Sequence, residues 1–109
     1  MIKPFKVDIS EENLQNIYSK VKNYHWHEMP DDGGWNYGTN LEYMKGFSKY
    51  WVEKFDWRKT EEKINKFKNF KSNINGVDIH FIHEKGSGSN PKPLLLSDGW
   101  PGSIVEFLH

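Results

Sequence analysis

The chain has 109 residues, enough for one domain with a modest core. Fifteen basic and fifteen acidic side chains cancel, so no overall field draws in nucleic acid or an anionic membrane. With no cysteine there is no disulfide, no thiolate nucleophile and no Cys-ligated zinc, which suits a cytoplasmic protein.

Pro4 to Val7 reads as extended, and Asp8 or Ser10 is placed to cap the helix that follows. Leu14, Ile17, Tyr18, Val21 and Tyr24 recur at three- and four-residue spacing and make one apolar face, predicting a helix near 10–24. Glu11 and Glu12 in its first turn and Lys20 and Lys22 near its end suit the helix dipole. His25 to Tyr37, with Pro30, Asp31-Asp32 and Gly33-Gly34, breaks the period and is expected as a loop. Thr39-Asn40-Leu41-Glu42 has capping-box spacing and opens a second helix near 40–55. Met44, Phe47, Trp51 and Phe55 form its stripe, and Trp51, in mid-helix, is the tryptophan expected to be most buried. A third helix near 57–68 carries Trp57, Ile64 and Phe67. The chain holds five Trp, five Tyr and seven Phe, so aromatic rings must supply much of the buried area.

From Phe70 the period becomes two. Asn75-Gly76, between Lys71–Ile74 and Val77–His83, is a type I′ hairpin signal. The loop Gly86 to Pro91 is uncharged and flexible in composition. Leu94-Leu95-Leu96 then reads as a short buried strand, Asp98 to Ser103 as a sharp turn, and Ile104 to His109 as a helix start. The expected fold class is mixed α/β: a helical N-terminal meander over 1–69, then the opening strands of an α/β unit over 70–109.

Strand, Gly/Pro turn and helix start form the layout in which α/β enzymes present backbone N–H groups to an anion or a developing oxyanion. Gly99 lets backbone approach a ligand, and Pro101 lacks an N–H and stiffens the turn. On residue types alone, an ordinary strand-to-helix turn with a buried Trp100 explains the segment as well. Two histidine pairs, His25/His27 and His80/His83, invite a metal reading. No Cys or placed carboxylate completes either set, and on a strand His80 and His83 face opposite ways, so no metal and no cofactor is expected. Lys54, Arg58, Lys59, Lys63, Lys66, Lys68 and Lys71 interleave with aromatics as on a nucleic-acid surface. Glu53, Asp56, Glu61 and Glu62 offset most of that charge, and a solvated helix face is the better account; no nucleic-acid partner is expected.

Several ordered landmarks go further together than any one of them. Pro4-Phe5-Lys6, Trp35-Asn36-Tyr37-Gly38, Tyr50-Trp51, Asp56-Trp57-Arg58, Ile74-Asn75-Gly76, Ile79-His80-Phe81-Ile82-His83 and Gly99-Trp100-Pro101-Gly102-Ser103 run almost from end to end. In this series the chain resembles the epoxide hydrolases of the α/β-hydrolase fold, in the branch that includes the microsomal and juvenile-hormone enzymes. The resemblance implies an incomplete α/β-hydrolase fold, with the hairpin and then the oxyanion-loop strand Leu94–Leu96. It implies that the Trp100 backbone N–H is one of two oxyanion donors, that its ring helps wall a substrate pocket, and that Gly99 and Pro101 set the loop geometry. The chain departs from the pattern at one position, where Asp98 stands in place of the usual His. A carboxylate there either opposes the developing negative charge or folds back onto neighbouring N–H groups, as Asp does in turns.

Such enzymes attack an epoxide carbon with an aspartate, form an ester, and hydrolyse it with water activated by a His–acid pair, while two cap tyrosines polarise the epoxide oxygen. The resemblance places all of those groups beyond this region, and Asp98, which precedes the oxyanion-loop glycine, is not the nucleophile. The partners it implies are the rest of the hydrolase with its cap and, for the complete enzyme, a small apolar epoxide. Microsomal relatives carry a membrane anchor ahead of this domain, and none is expected in this chain, which has no apolar run near the ~20 residues that span a bilayer. The rival reading is a stand-alone helical domain that binds a partner or regulates a hydrolase; a nucleic-acid module on the basic helix is the weaker one.

Overall fold

The computed structural model describes residues 1–30 and 33–109; the expected loop includes Asp31 and Asp32, which lie outside the described residues. The chain divides into two compact units, one of residues 9–56 and one of residues 1–8 with 57–109.

In the first unit, α1 spans Glu11–Lys22 and α2 spans Leu41–Glu53, and the two pack against each other. Ser10 caps α1, its side chain accepting the Asn13 N–H at 3.2 Å. Asn40, rather than Thr39, caps α2: its side-chain oxygen accepts the Tyr43 N–H at 2.9 Å. The apolar face of α1 buries Leu14, with Val21 and Tyr18 half-buried. The stripe of α2 is less covered than its spacing suggests. Met44 and Trp51 are half-buried and Phe47 is exposed; Trp26 and Trp57 are half-buried as well, while Trp35 and Trp100 are exposed.

In the second unit, α3 (Trp57–Asn65) precedes a three-stranded antiparallel sheet in the order β1 (Ile2–Pro4), β2 (Asn69–Ile74), β3 (Val77–Ile82). The helix ends before Phe67, whose N–H bonds the Ile64 carbonyl, closing a tighter last turn. The hairpin register sets Ile74 opposite Val77, leaving Asn75 and Gly76 as a two-residue turn with φ of 51° and 85°. Both values are positive, as a type I′ turn requires. Phe70 and Phe81 face each other across the ladder with ring centroids 5.7 Å apart.

The third strand of the sheet comes from the start of the chain. Ile2–Pro4 fills the free edge of β2, where Pro4, lacking an N–H, is tolerated. Leu94–Leu96 forms no strand, because a ladder needs a partner and none of the described residues offers one. Those three side chains are 81%, 90% and 54% exposed. The expected terminal helix is a single 3-10 turn, Ile104–Phe107, capped by the Ser103 hydroxyl on the Val105 N–H at 3.3 Å.

The core of this unit is Ile64 with Val7, and its polar partners are built in. Asn69 is only 5% exposed; its Nδ2 donates to the Ile64 and Phe67 carbonyls at 2.9 and 2.8 Å. The side chain thus adds a donor at the end of α3, where the supply of helical N–H groups runs out.

Candidate functional site

The turn that the sequence singles out is closed by two hydrogen bonds. The Gly102 N–H donates to the Gly99 carbonyl at 2.7 Å, and the Gly99 N–H donates to Asp98 Oδ1 at 2.9 Å. Trp100 and Pro101 occupy the corner, joined by a cis peptide bond. Among the described residues the Trp100 N–H has no acceptor. Its ring is 95% exposed, so a turn anchored by a buried Trp100 is not what forms. Gly99, Trp100 and Pro101 are therefore brought together as one solvent-facing corner bearing one free backbone donor. Asp98 takes the second of its two expected conformations and folds back onto its neighbour.

The histidines do other work. His80 Nε2 lies 2.8 Å from Asn69 Oδ1. Because the Asn69 amide nitrogen is already committed to two carbonyls, its oxygen must accept, and His80 donates from Nε2. Burial, and then the charge of Lys71 opposite it in the sheet, lower the His80 pKa from the ordinary 6.5 and favour the neutral ring. Phe5 meets His80 edge-on at 5.0 Å, and the Lys71 ammonium sits 4.0 Å over the Phe5 ring. Among the described residues no three His, Asp or Glu side chains gather as a metal site. In the basic stretch, Arg58 pairs with Glu61 at 2.7 Å and Lys68 with Glu84 at 3.7 Å.

In the 9–56 unit a groove of about 480 Å³ opens beside α1 and α2, walled by Val21, Tyr24, Trp26, Met44, Phe47 and Trp51, with Lys20 and His27 as its titratable neighbours. Beyond Phe47 the rings continue as a ladder, Trp51 to Phe47 at 6.4 Å, Phe47 to Tyr43 at 6.5 Å and Tyr43 to Trp35 at 5.3 Å. The helical stripe was the available signal, but periodicity shows which side chains share a face, not whether anything covers it.

A family model described as the epoxide hydrolase N terminus matches residues 2–107. The chain belongs to that family. It is 42% identical over 110 residues to "Epoxide hydrolase 1" of Sus scrofa, covering 97% of this chain and 24% of that protein. With "Juvenile hormone epoxide hydrolase 1" of Ctenocephalides felis it shares 36% over 110 residues, covering 97% and 24%. The Aspergillus niger epoxide hydrolase structure superposes with a TM-score of 0.85 at 30% identity, over 99% of this chain and 29% of that one. The juvenile hormone epoxide hydrolase structure of Bombyx mori gives 0.81 at 33%, over 95% and 26%. The chain thus spans about a quarter of the length of the relatives it matches, and its helices and small sheet correspond to the N-terminal region of epoxide hydrolases of the α/β-hydrolase fold. No helix among the described residues is long and apolar enough to cross a membrane.

Proposed function

We propose that this epoxide hydrolase N-terminal portion serves the hydrolysis of small apolar epoxides to diols, and that its own contribution to the chemistry is the Trp100 N–H. On this reading residues 1–69 are the N-terminal helical part and residues 70–109 open the catalytic domain. The observation that carries it is the unpartnered Trp100 N–H at the corner between Gly99 and Pro101. When water adds to the ester carbonyl of the alkyl-enzyme, the carbonyl π electrons move onto oxygen. A backbone donor fixed in advance stabilises that charge at no cost of reorganisation. Trp100 then lies with its ring beside the substrate, while Gly99 and Pro101 keep the corner narrow and stiff. The aspartate nucleophile and the His–acid pair come from the remainder of the hydrolase, as does the cap.

The test has two arms. The 109-residue chain by itself is expected to give no turnover of styrene oxide above a denatured control, since no ester forms for the turn to act on. In a complete hydrolase carrying these residues, Trp100→Pro removes the donor and is expected to lower kcat by roughly 10²–10³. Trp100→Phe keeps the N–H and separates loss of the donor from loss of the ring. A Trp100→Pro enzyme that unfolds at the wild-type temperature and turns over at the wild-type rate overturns the assignment.

A further inference from the structure

We infer that Asp98 is a positioning residue that clasps the turn whose Gly102–Gly99 hydrogen bond directs the Trp100 N–H; this rests on the oxyanion reading above. Gly99, without a Cβ, would let the peptide planes on either side of it swing. Each plane is held by a different bond. The plane before Gly99 is fixed by its N–H donating to Asp98 Oδ1 at 2.9 Å. The plane after it contains both the Gly99 carbonyl and the Trp100 N–H, which point in opposite directions across a trans peptide. With the carbonyl held by the Gly102 N–H at 2.7 Å, the Trp100 N–H must face away from the turn.

Gly102 is coupled to the same carboxylate. A Cβ at position 102 would overlap Asp98 Oδ2, with Cγ at 2.6 Å and Oδ1 at 2.7 Å. A side chain at position 102 would therefore displace the Asp98 carboxylate from the Gly99 N–H. A carboxylate beside an oxyanion site would ordinarily oppose the chemistry. Here it is turned onto the Gly99 N–H, which directs its charge into the turn rather than leaving it uncommitted.

The test is amide NMR on the 109-residue chain. Asp98→Ala should move the Gly99 amide resonance and speed Gly99 and Gly102 amide exchange by roughly fivefold. Asp98→Asn, which keeps an acceptor oxygen, should restore the protection. Gly102→Ala should move the Gly99 shift in the wild type and leave it unmoved in the Asp98→Ala background. Hairpin amides at Asn75 and Gly76 report whether each variant is folded. A Gly99 amide indifferent to Asp98→Ala, or a Gly102→Ala effect equal in both backgrounds, overturns the clasp. In a complete hydrolase, Asp98→Ala should lower kcat roughly tenfold at unchanged KM, with Asp98→Asn recovering most of it. If the amide results stand and kcat does not move, the positioning role is overturned while the clasp survives, and the oxyanion reading stands or falls on Trp100→Pro; if the amide results fail, the clasp fails whatever the turnover.

Discussion

Asn65 holds Val7 with both ends of its side-chain amide: Oδ1 accepts the Val7 N–H at 2.9 Å and Nδ2 donates to the Val7 carbonyl at 2.8 Å. The last residue of α3 thereby does for the N-terminal segment what a neighbouring strand would do, pairing a buried residue's donor and acceptor at once. Asn65→Leu strands both backbone groups and is expected to cost about 1–3 kcal/mol in urea unfolding. Asn65→Asp keeps the acceptor but sets a carboxylate oxygen against the Val7 carbonyl, and should be no better than Leu. Wild-type stability in both variants would show that water replaces the pair without loss.

His80 makes this unit sensitive to acid. Its folded-state pKa lies below the ordinary 6.5, through burial and then Lys71, so the unfolded chain takes up the proton first. The contribution of the neutral ring is complete above about pH 6.5. It is lost as the pH falls through that value toward the lower folded pKa. Urea midpoints taken between pH 7.5 and 5.5 should decline over this window, and His80→Gln should flatten that decline. An equal decline in the variant would assign it to other groups.

Two glycines should respond to alanine with opposite signs. Gly76 sits at φ 85° in the hairpin turn, so Gly76→Ala is expected to destabilise by about 1–2 kcal/mol. Gly46 lies inside α2 with open space where a Cβ would go, so Gly46→Ala should stabilise by about 0.5–1 kcal/mol. Thermal unfolding of the two variants checks both, and a shift of the same sign in each contradicts the assignment of turn and helix.

Leu95, 90% exposed and outside any ladder, contributes little to stability within this chain. Leu95→Glu is expected to change the unfolding free energy by less than about 0.5 kcal/mol. It should also reduce self-association in sedimentation, because the Leu94–Leu96 run is an exposed apolar patch. Slow amide exchange at Leu94–Leu96 in a dilute monomer would contradict the unpaired state.

The local features were legible because their causes are local. Helix periodicity at Leu14 and Val21 and the positive-φ demand met by Asn75-Gly76 lie within a few residues of what they specify. The landmarks from Pro4 to Ser103 carried the family for the same reason, as short motifs in a fixed order. Sequence did not decide which segment completes the sheet. Pro4 to Val7 reads as extended, yet it is Ile2–Pro4 that joins β2, because pairing depends on which edge is free in space. Nor could spacing choose between the two postures of Asp98. That choice rests on the distance from its carboxylate to the Gly99 N–H and on the absence of a Cβ at Gly102, which exist only once the turn has closed. The His80–Asn69–Ile64 chain of contacts likewise joins β3, β2 and α3, and no reading of one segment at a time could assemble it.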